Sequence, residues 1–431
     1  MKKENYRILA RDCMVSNDTW KTGLNNNDLI IGPSGAGKTR GYVKPNLLQC
    51  EESVIVADTK GNLIREVGDD MACRGYKVIN IDFTDMLRSY GYNPLDYIRR
   101  GADGRPNEQD VMSVAACLCP IEDSDEPFWD QSARMYLAGM IGYVLECLPP
   151  EEQTPEYVFK LFAEMDRGVG RDGCLSVFDR LFLTLGQENP DSFAYQKYQL
   201  FRGNRKAGRT NACIKAFVAD KLEKFTFDGP MALYRQKKRV DFAALGREKT
   251  AVFLTVSDTD RSMDRLVNLF YTQALQSLCR SADRDYPDCR LPVPVRFILD
   301  DFATNTVIPG FDNLISVIRS REIYVSIMIQ SLSQLEGLYG HARAMTIVNN
   351  CDHCLYLGGQ DVETARYFSE KLNRTTDKIL DLPLGRAFLF TRGEKARQVE
   401  KFDLTAHKRY QSLPEAAAGE EAVPQWEVLA G

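Results

Sequence analysis

Short apolar runs alternate with helix-spaced apolar positions through the first part of the chain. Leu29 to Ile31 reads as a buried strand, Ser53 to Ala57 as a second ending at Asp58, and Tyr76 to Asp82 as a third. Between them the spacing predicts a short helix limited by Pro45 and another over Leu63 to Ala72. Strand, helix and strand at this spacing predict a parallel sheet with right-handed crossovers. After Asn93-Pro94-Leu95-Asp96 the period changes. From 105 to 245 it is helical, over Asp110 to Leu118, Ser132 to Cys147, Pro155 to Glu164, Cys174 to Leu185 and Ala212 to Glu223. Pro149-Pro150, Gly168 to Gly173 and Asn189-Pro190 break these helices apart. Strand runs return at Thr250 to Val256, Val293 to Leu299, Ile323 to Ile329, Cys354 to Leu357 and Ala387 to Thr391. Helices are predicted over Arg261 to Ala282, Phe311 to Ser320 and Val362 to Leu372. Residues 1 to 27 are polar and unpatterned and read as a lead-in ending in Asn25-Asn26-Asn27. The expected organisation is an α/β domain of mostly parallel sheet flanked by helices, built from 1–104 and 246–410. An all-α domain, 105–245, is inserted in it, and an acidic, Ala-rich tail, 411–431, is expected to be disordered.

Bulk numbers narrow the class. A chain of 431 residues can hold a large core plus an insertion, and 44% apolar with 27% charged residues is ordinary for a globular protein. The longest uncharged apolar run, Met135 to Leu145, falls well short of the roughly 20 residues that span a bilayer. The amino terminus has no apolar stretch of the signal-peptide kind. Twelve cysteines without framework spacing fit a reducing compartment, so a cytoplasmic location without a transmembrane segment is expected. Cys351 and Cys354 have no second pair to complete a metal site. The net charge of −5 gives no global reason to expect nucleic acid, so any such contact has to be local.

Chemistry enters with the stretch after the first strand. Gly32-Pro33-Ser34-Gly35-Ala36-Gly37-Lys38-Thr39 fits the Walker A pattern of a phosphate-binding loop. Glycines let the backbone turn so that successive N–H groups meet phosphate oxygens. Lys38 is expected to reach the β- and γ-phosphates and Thr39 to hold Mg²⁺. The nucleotide-binding stretch is taken to run on into Arg40 at the start of the next helix. ATP and Mg²⁺ are the expected cofactors.

Val295 to Leu299 ends in Asp300 and Asp301, the Walker B position. There Asp300 is expected to hold Mg²⁺ and Asp301 to orient the attacking water. Gln330 follows the next strand, where its amide can read the γ-phosphate. Arg319 and Arg321 precede that strand, and one of them is a candidate finger for a neighbouring subunit's nucleotide. From Lys197 to Lys249 the chain carries 14 Lys or Arg against 5 Asp or Glu, interleaved with Phe201, Phe217, Phe225 and Tyr234. Basic plus aromatic composition suits nucleic acid, and a solvated helical face with core aromatics explains it as well.

Taken together these motifs resemble the type IV coupling proteins of conjugation and type IV secretion, the TraG-like family. The resemblance rests on Gly32 to Thr39, Asp58-Thr59-Lys60-Gly61, Asn93 to Leu95, Asp125 to Asp130, Phe297 to Ala303, Ile318 to Ile323, Gln330 to Leu335, Asn350 to Cys354 and Asp361 to Ala365. It implies a RecA-like, homo-hexameric P-loop ATPase whose turnover DNA stimulates. It further implies translocation of single- or double-stranded DNA and delivery of a DNA–relaxase or other secretion substrate to membrane-bound channel proteins. The chain departs from the family where Asp301 replaces Glu, which points to weak hydrolysis, and where Asn62 replaces Glu after Lys60-Gly61. Members usually carry transmembrane helices ahead of the loop, so either a partner is expected to hold this chain at the inner face of the membrane or the chain is a soluble form with a shifted role. Two other functions share the core: an ATP-binding recruitment adaptor with little hydrolysis, and a cytosolic helicase or packaging motor.

Overall fold

The computed structural model describes residues 5–121, 125–168, 175–203, 208–302 and 307–413. Cys174, Arg205, Lys206, Ala303 and the tail from 414 onward lie outside the described residues. The chain divides into two compact units. The first comprises Met1–Thr84, Asp241–Arg261 and Ala274–Gly431, and the second Asp85–Val240 and Ser262–Gln273.

The first unit holds eleven described strands. They are β1 (Tyr6–Ala10), β2 (Cys13–Ser16), β3 (Asp28–Ile31), β4 (Ser53–Asp58), β5 (Lys77–Asp82) and β6 (Thr250–Thr255). They continue with β7 (Val295–Leu299), β8 (Ile323–Ile329), β9 (His353–Tyr356), β10 (Arg386–Thr391) and β11 (Arg397–Glu400). β1 and β2 form a hairpin, and the rest one sheet in the order β11-β10-β9-β3-β8-β7-β4-β6-β5. From β9 to β5 every pairing is parallel, while β10 runs antiparallel to both β9 and β11. All residues of β3, β4, β6, β7 and β8 are buried, as expected of parallel strands covered on both faces.

Several elements depart from the sequence pattern. Pro45 does not limit the helix after β3. Thr39–Val43 turns with the wider π spacing, Lys44 N–H donating to Thr39 O, and an α-helix then runs over Lys44–Gln49 with Pro45 in its first turn. The extra residue accommodates a ring that lacks an N–H and would otherwise press on the carbonyl four residues back. Helices Leu332–Tyr339 and His341–Asn349 also arise without a strong apolar period.

Residues 5–27 are more than a lead-in: Arg7 to Ala10, Cys13, Thr19, Asn26 and Asn27 are buried. Arg7 grips Asp28, the first residue of β3, through Nε at 2.7 Å and Nη2 at 3.1 Å, and its Nη1 donates to Asn17 and Asn26. Arg296 on β7 lies 3.6 Å from the same carboxylate and also pairs with Glu52. The Tyr42 hydroxyl donates to Asp28 and lies 2.9 Å from Ser326 Oγ on β8. Arg7, Asp28, Glu52 and Arg296 are each at most 2% exposed, so two cations and two anions are buried together. Asn27 extends the clip, its Oδ1 accepting from Val325 N–H and its Nδ2 donating to Asn350 O.

The second unit contains helices Glu108–Leu118, Phe128–Cys147, Pro155–Ala163, Val177–Glu188, Phe193–Arg202, Gly208–Glu223 and Asp228–Arg235, and no named strand among its described residues. Phe128–Cys147 is buried on most sides and packs against Phe193–Arg202, an element that the apolar spacing did not predict. Gly142 permits the approach, since a Cβ there would meet Phe193 Cδ1 at 2.9 Å. Phe178, Phe182, Tyr198 and Phe201 form the aromatic centre, with Tyr136 stacked on Phe201 at 4.2 Å.

That packing corrects the aromatic part of the basic segment. Phe201, Phe225 and Tyr234 are at most 2% exposed and belong to the core. Phe217, partly exposed, is stacked on Trp129 at 5.7 Å. Phe201, Phe225 and Tyr234 therefore form no platform for bases, because they are packed into the helix core.

Burial alone would push the Asp28 carboxyl up, but Arg7, Arg296, His353 and the Tyr42 hydrogen bond together hold it below the usual range. A depressed carboxyl contributes stability above its unfolded pKa of about 3.9, and that contribution is lost as pH falls through the folded value. Asp28→Asn is expected to cost about 3–5 kcal/mol at neutral pH, because it leaves buried cations without their partner. In urea titrations the gap between wild type and variant should narrow as pH drops below about 4; a gap independent of pH would contradict this account.

Candidate functional site

The phosphate-loop motif leaves the carboxyl end of β3, where parallel α/β sheets place their sites. Gly32 N–H donates to Ile329 O at 3.0 Å and Leu357 N–H to Ile31 O at 2.7 Å, so β8 and β9 fix the loop's start from both sides. Gly35 and Gly37 take φ of 76° and 93°, a region that excludes most side chains. Lys38 is 7% exposed and its Nζ donates to Gly32 O at 2.8 Å and Pro33 O at 3.3 Å. Pro33, Ser34 and Arg40 are exposed, and Ala36 and Thr39 are half-buried.

The Walker B strand β7 is the second neighbour of β3, with β8 between them. This order brings the two motifs together: Thr39 Oγ1 donates to Asp300 Oδ2 at 2.6 Å, and Asp301 Oδ1 lies 3.6 Å from Lys38 Nζ. Burial raises the Asp300 carboxyl, and the neighbouring Asp301 adds to this against the pull of Thr39 and Lys38. Asp301 holds φ at 50°, the left-handed region that Asp tolerates better than most residues. Its Oδ1 is buried and accepts no hydrogen bond among the described residues. The Thr39 hydroxyl and the Asp300 carboxylate form a pair of hard oxygen donors, the kind a Mg²⁺ ion takes, and the unsatisfied Asp301 oxygen beside them is free to meet a water.

Gln330 stands exposed at the carboxyl end of β8, the strand between the two motifs. Arg319 and Arg321 lie before β8, at the opposite end of a seven-residue strand. At about 3.3 Å per residue that is roughly 20 Å from the loop, so neither meets it within one chain. Arg319 Nη2 reaches Thr19 O at 3.5 Å, and Arg321 pairs with Asp283 at 2.8 Å. Asp58 caps the helix Asn62–Cys73, accepting from Asn62 N–H at 3.0 Å and Ile64 N–H at 3.1 Å.

Much of the positive charge from 197 to 249 is matched locally. Lys215 pairs with Asp166, Lys221 with Asp130, Arg235 with Glu156, Arg239 with Asp96, Arg247 with Asp241 and Lys249 with Glu51. Arg209, Lys224 and Lys237 are exposed. The sequence hides these pairings because most of the acids lie outside the segment.

A Walker A loop at the end of a central parallel strand, meeting Walker B carboxylates two strands away, defines a P-loop nucleotide-binding protein. The chain belongs to the type IV secretory system conjugative DNA transfer family, whose model matches residues 2–381, and is a type IV coupling protein as its motifs implied. It is 25% identical over 374 residues to the VirD4 protein of Rhizobium radiobacter, covering 84% of this chain and 50% of that protein. The chain thus spans about half the length of the curated relatives it matches. Among solved structures, the unbound conjugative coupling protein TrwB lacking its first 70 residues superimposes with a TM-score of 0.66. The identity is 18%, over 93% of this chain and 89% of that one. TrwB in complex with ADP and Mg²⁺ gives 0.64 at 18% identity, over 88% and 85%. The shared fold is the RecA-like P-loop fold with an all-α insertion. Among the described residues no helix is long and apolar enough to cross a membrane.

Proposed function

We propose that the chain is an ATP-driven motor that moves DNA, with an attached relaxase or other secretion substrate, toward a membrane-bound channel, working as a homo-hexamer. The observation that carries this reading is the Thr39–Asp300 contact with Lys38 beside Asp301, two nucleotide motifs meeting at one point. The binding of ADP and Mg²⁺ by TrwB supports the same cofactors here. Lys38 would release its hold on the loop carbonyls to face the β- and γ-phosphates. Thr39 and Asp300 would hold Mg²⁺, which draws charge off the phosphates when bound. Asp301 would orient the attacking water and Gln330 read the γ-phosphate. The membrane location would come through a partner. ATP turnover with and without single- and double-stranded DNA tests the reading; turnover indifferent to both would favour the recruitment adaptor.

Lys38→Ala and Asp300→Ala should each lower ATP turnover by at least about 10²-fold, since transition-state charge loses a stabilising group. Turnover at the wild-type rate in either variant would remove that residue from the mechanism.

DNA contact is expected on the basic segment from 197 to 249. With Arg239 tied to Asp96, the exposed Arg209, Lys224 and Lys237 are the residues to reverse. Affinity should fall with salt by roughly 0.7–0.9 log units per log unit of salt for each phosphate contact. Changing all three to Glu should flatten that slope, and an unaltered slope would place the DNA path elsewhere.

Arg319 is proposed as a finger on the neighbouring subunit's nucleotide, its distance from its own loop being what a trans role requires. A guanidinium supplied this way is worth about 10³–10⁵ in rate. Arg319→Ala and Lys38→Ala should each be inactive, yet mixing them should restore part of the activity through interfaces with both groups intact. Proven subunit exchange without recovery would pass the role to Arg321 or to no residue.

A further inference from the structure

The outside of the phosphate loop carries a contact that no motif pointed to. Lys401 Nζ donates to Ala36 O at 3.1 Å. Lys401 comes just after β11 and lies beyond residues 2–381, the stretch matched by the family. Its side chain is half-buried, and among the described residues it makes no ion pair. Burial holds its ammonium below the usual lysine range, and no carboxylate offsets this.

The backbone around Lys401 is firmly held. Glu400 is gripped by Arg11 Nη1 at 2.6 Å and Arg386 Nη2 at 3.1 Å, and its carbonyl accepts from Arg11 N–H. Lys401 N–H donates to Gly385 O at 3.0 Å. Phe402 O lies so close to Gly41 that a Cβ there would come within 3.4 Å. Residues 400 to 402 are thus laid along the loop and the turn that follows it.

We infer that Lys401 is a positioning residue of the nucleotide site, holding the Ala36–Gly37 peptide from outside so that its N–H is turned toward the phosphates. The peptide is trans and planar, so a carbonyl facing Lys401 sends the N–H the opposite way. A cation on the carbonyl also polarises the peptide and strengthens that N–H as a donor. Gly37 at φ 93° has no side chain to restrict the loop, so an external hold supplies the constraint. The ammonium adds a second positive charge to the loop besides that of Lys38, suited to a polyphosphate.

This inference rests on the nucleotide reading above, and the test separates the two. Equilibrium binding of Mg²⁺–ADP to the full chain is measured for wild type, Lys401→Met and Lys401→Arg. Methionine keeps the length of the stem and removes the charge. The dissociation constant should rise roughly tenfold in Lys401→Met and return to within about threefold of wild type in Lys401→Arg. In the nucleotide-free chain, amide exchange from 36 to 39 should speed up in Lys401→Met only, and in turnover the change should fall more on KM than on kcat. Equal binding by Lys401→Met and wild type would overturn the inference alone, as would an arginine variant as weak as methionine. A wild type that binds no Mg²⁺–ADP would overturn the nucleotide reading and this inference together.

Discussion

The buried pairing of Arg7 and Arg296 with Asp28 and Glu52 is the constraint on which the rest of the sheet domain depends. Four charges inside a protein are tolerable only when they balance, and here two cations face two anions, with Glu52 Oε2 and Arg296 Nη2 left without a hydrogen bond among the described residues. Here the hairpin, β3, β7, the residue ahead of β4 and the helix after the loop all contribute to one cluster. A misplaced strand would strand a charge in the core, so the cluster selects one register as well as stabilising it. It sits at the amino end of β3 and leaves the carboxyl end to phosphate chemistry.

Parallel strands buried on both faces read as unbroken apolar runs, which is why β3, β4, β6, β7 and β8 were legible in the sequence, and the largely apolar β5, β9 and β10 could be read as well. Charge hid the hairpin instead. Arg7 is 2% exposed although arginine ordinarily lies at the surface, and Asn25 to Asn27 read as the end of a polar lead-in while acting as a clip. β11, Arg-Gln-Val-Glu at the sheet's edge, has no apolar run to detect, and charged residues are what an edge strand needs to avoid unwanted pairing.

At the site, the motifs were readable, and assigning Thr39 and Asp300 to one Mg²⁺ implied that they meet. The loop motif and the paired acids have fixed spacing because phosphate geometry is fixed. Their meeting at Thr39 and Asp300 depends on strand order, which no local pattern encodes. Net charge, in contrast, misled. The basic segment looks uncompensated until distant acids such as Glu51, Asp96 and Asp130 are found beside it, and its aromatics look available until the helices pack. Lys401 had no signal, because a lone lysine after a polar strand resembles any surface lysine.

The π-type turn at Thr39–Val43 carries one residue more per turn than the α-helix it enters, and it spans two fixed points, Thr39 facing Asp300 and Tyr42 facing Asp28. Deleting one residue would regularise the helix but rotate everything beyond it by about 100°. Tyr42 would swing off the charge cluster, or Thr39 off the carboxylate. The turn therefore works as a spacer whose length, more than its residue types, keeps the carboxylate contact and the charge cluster satisfied at once.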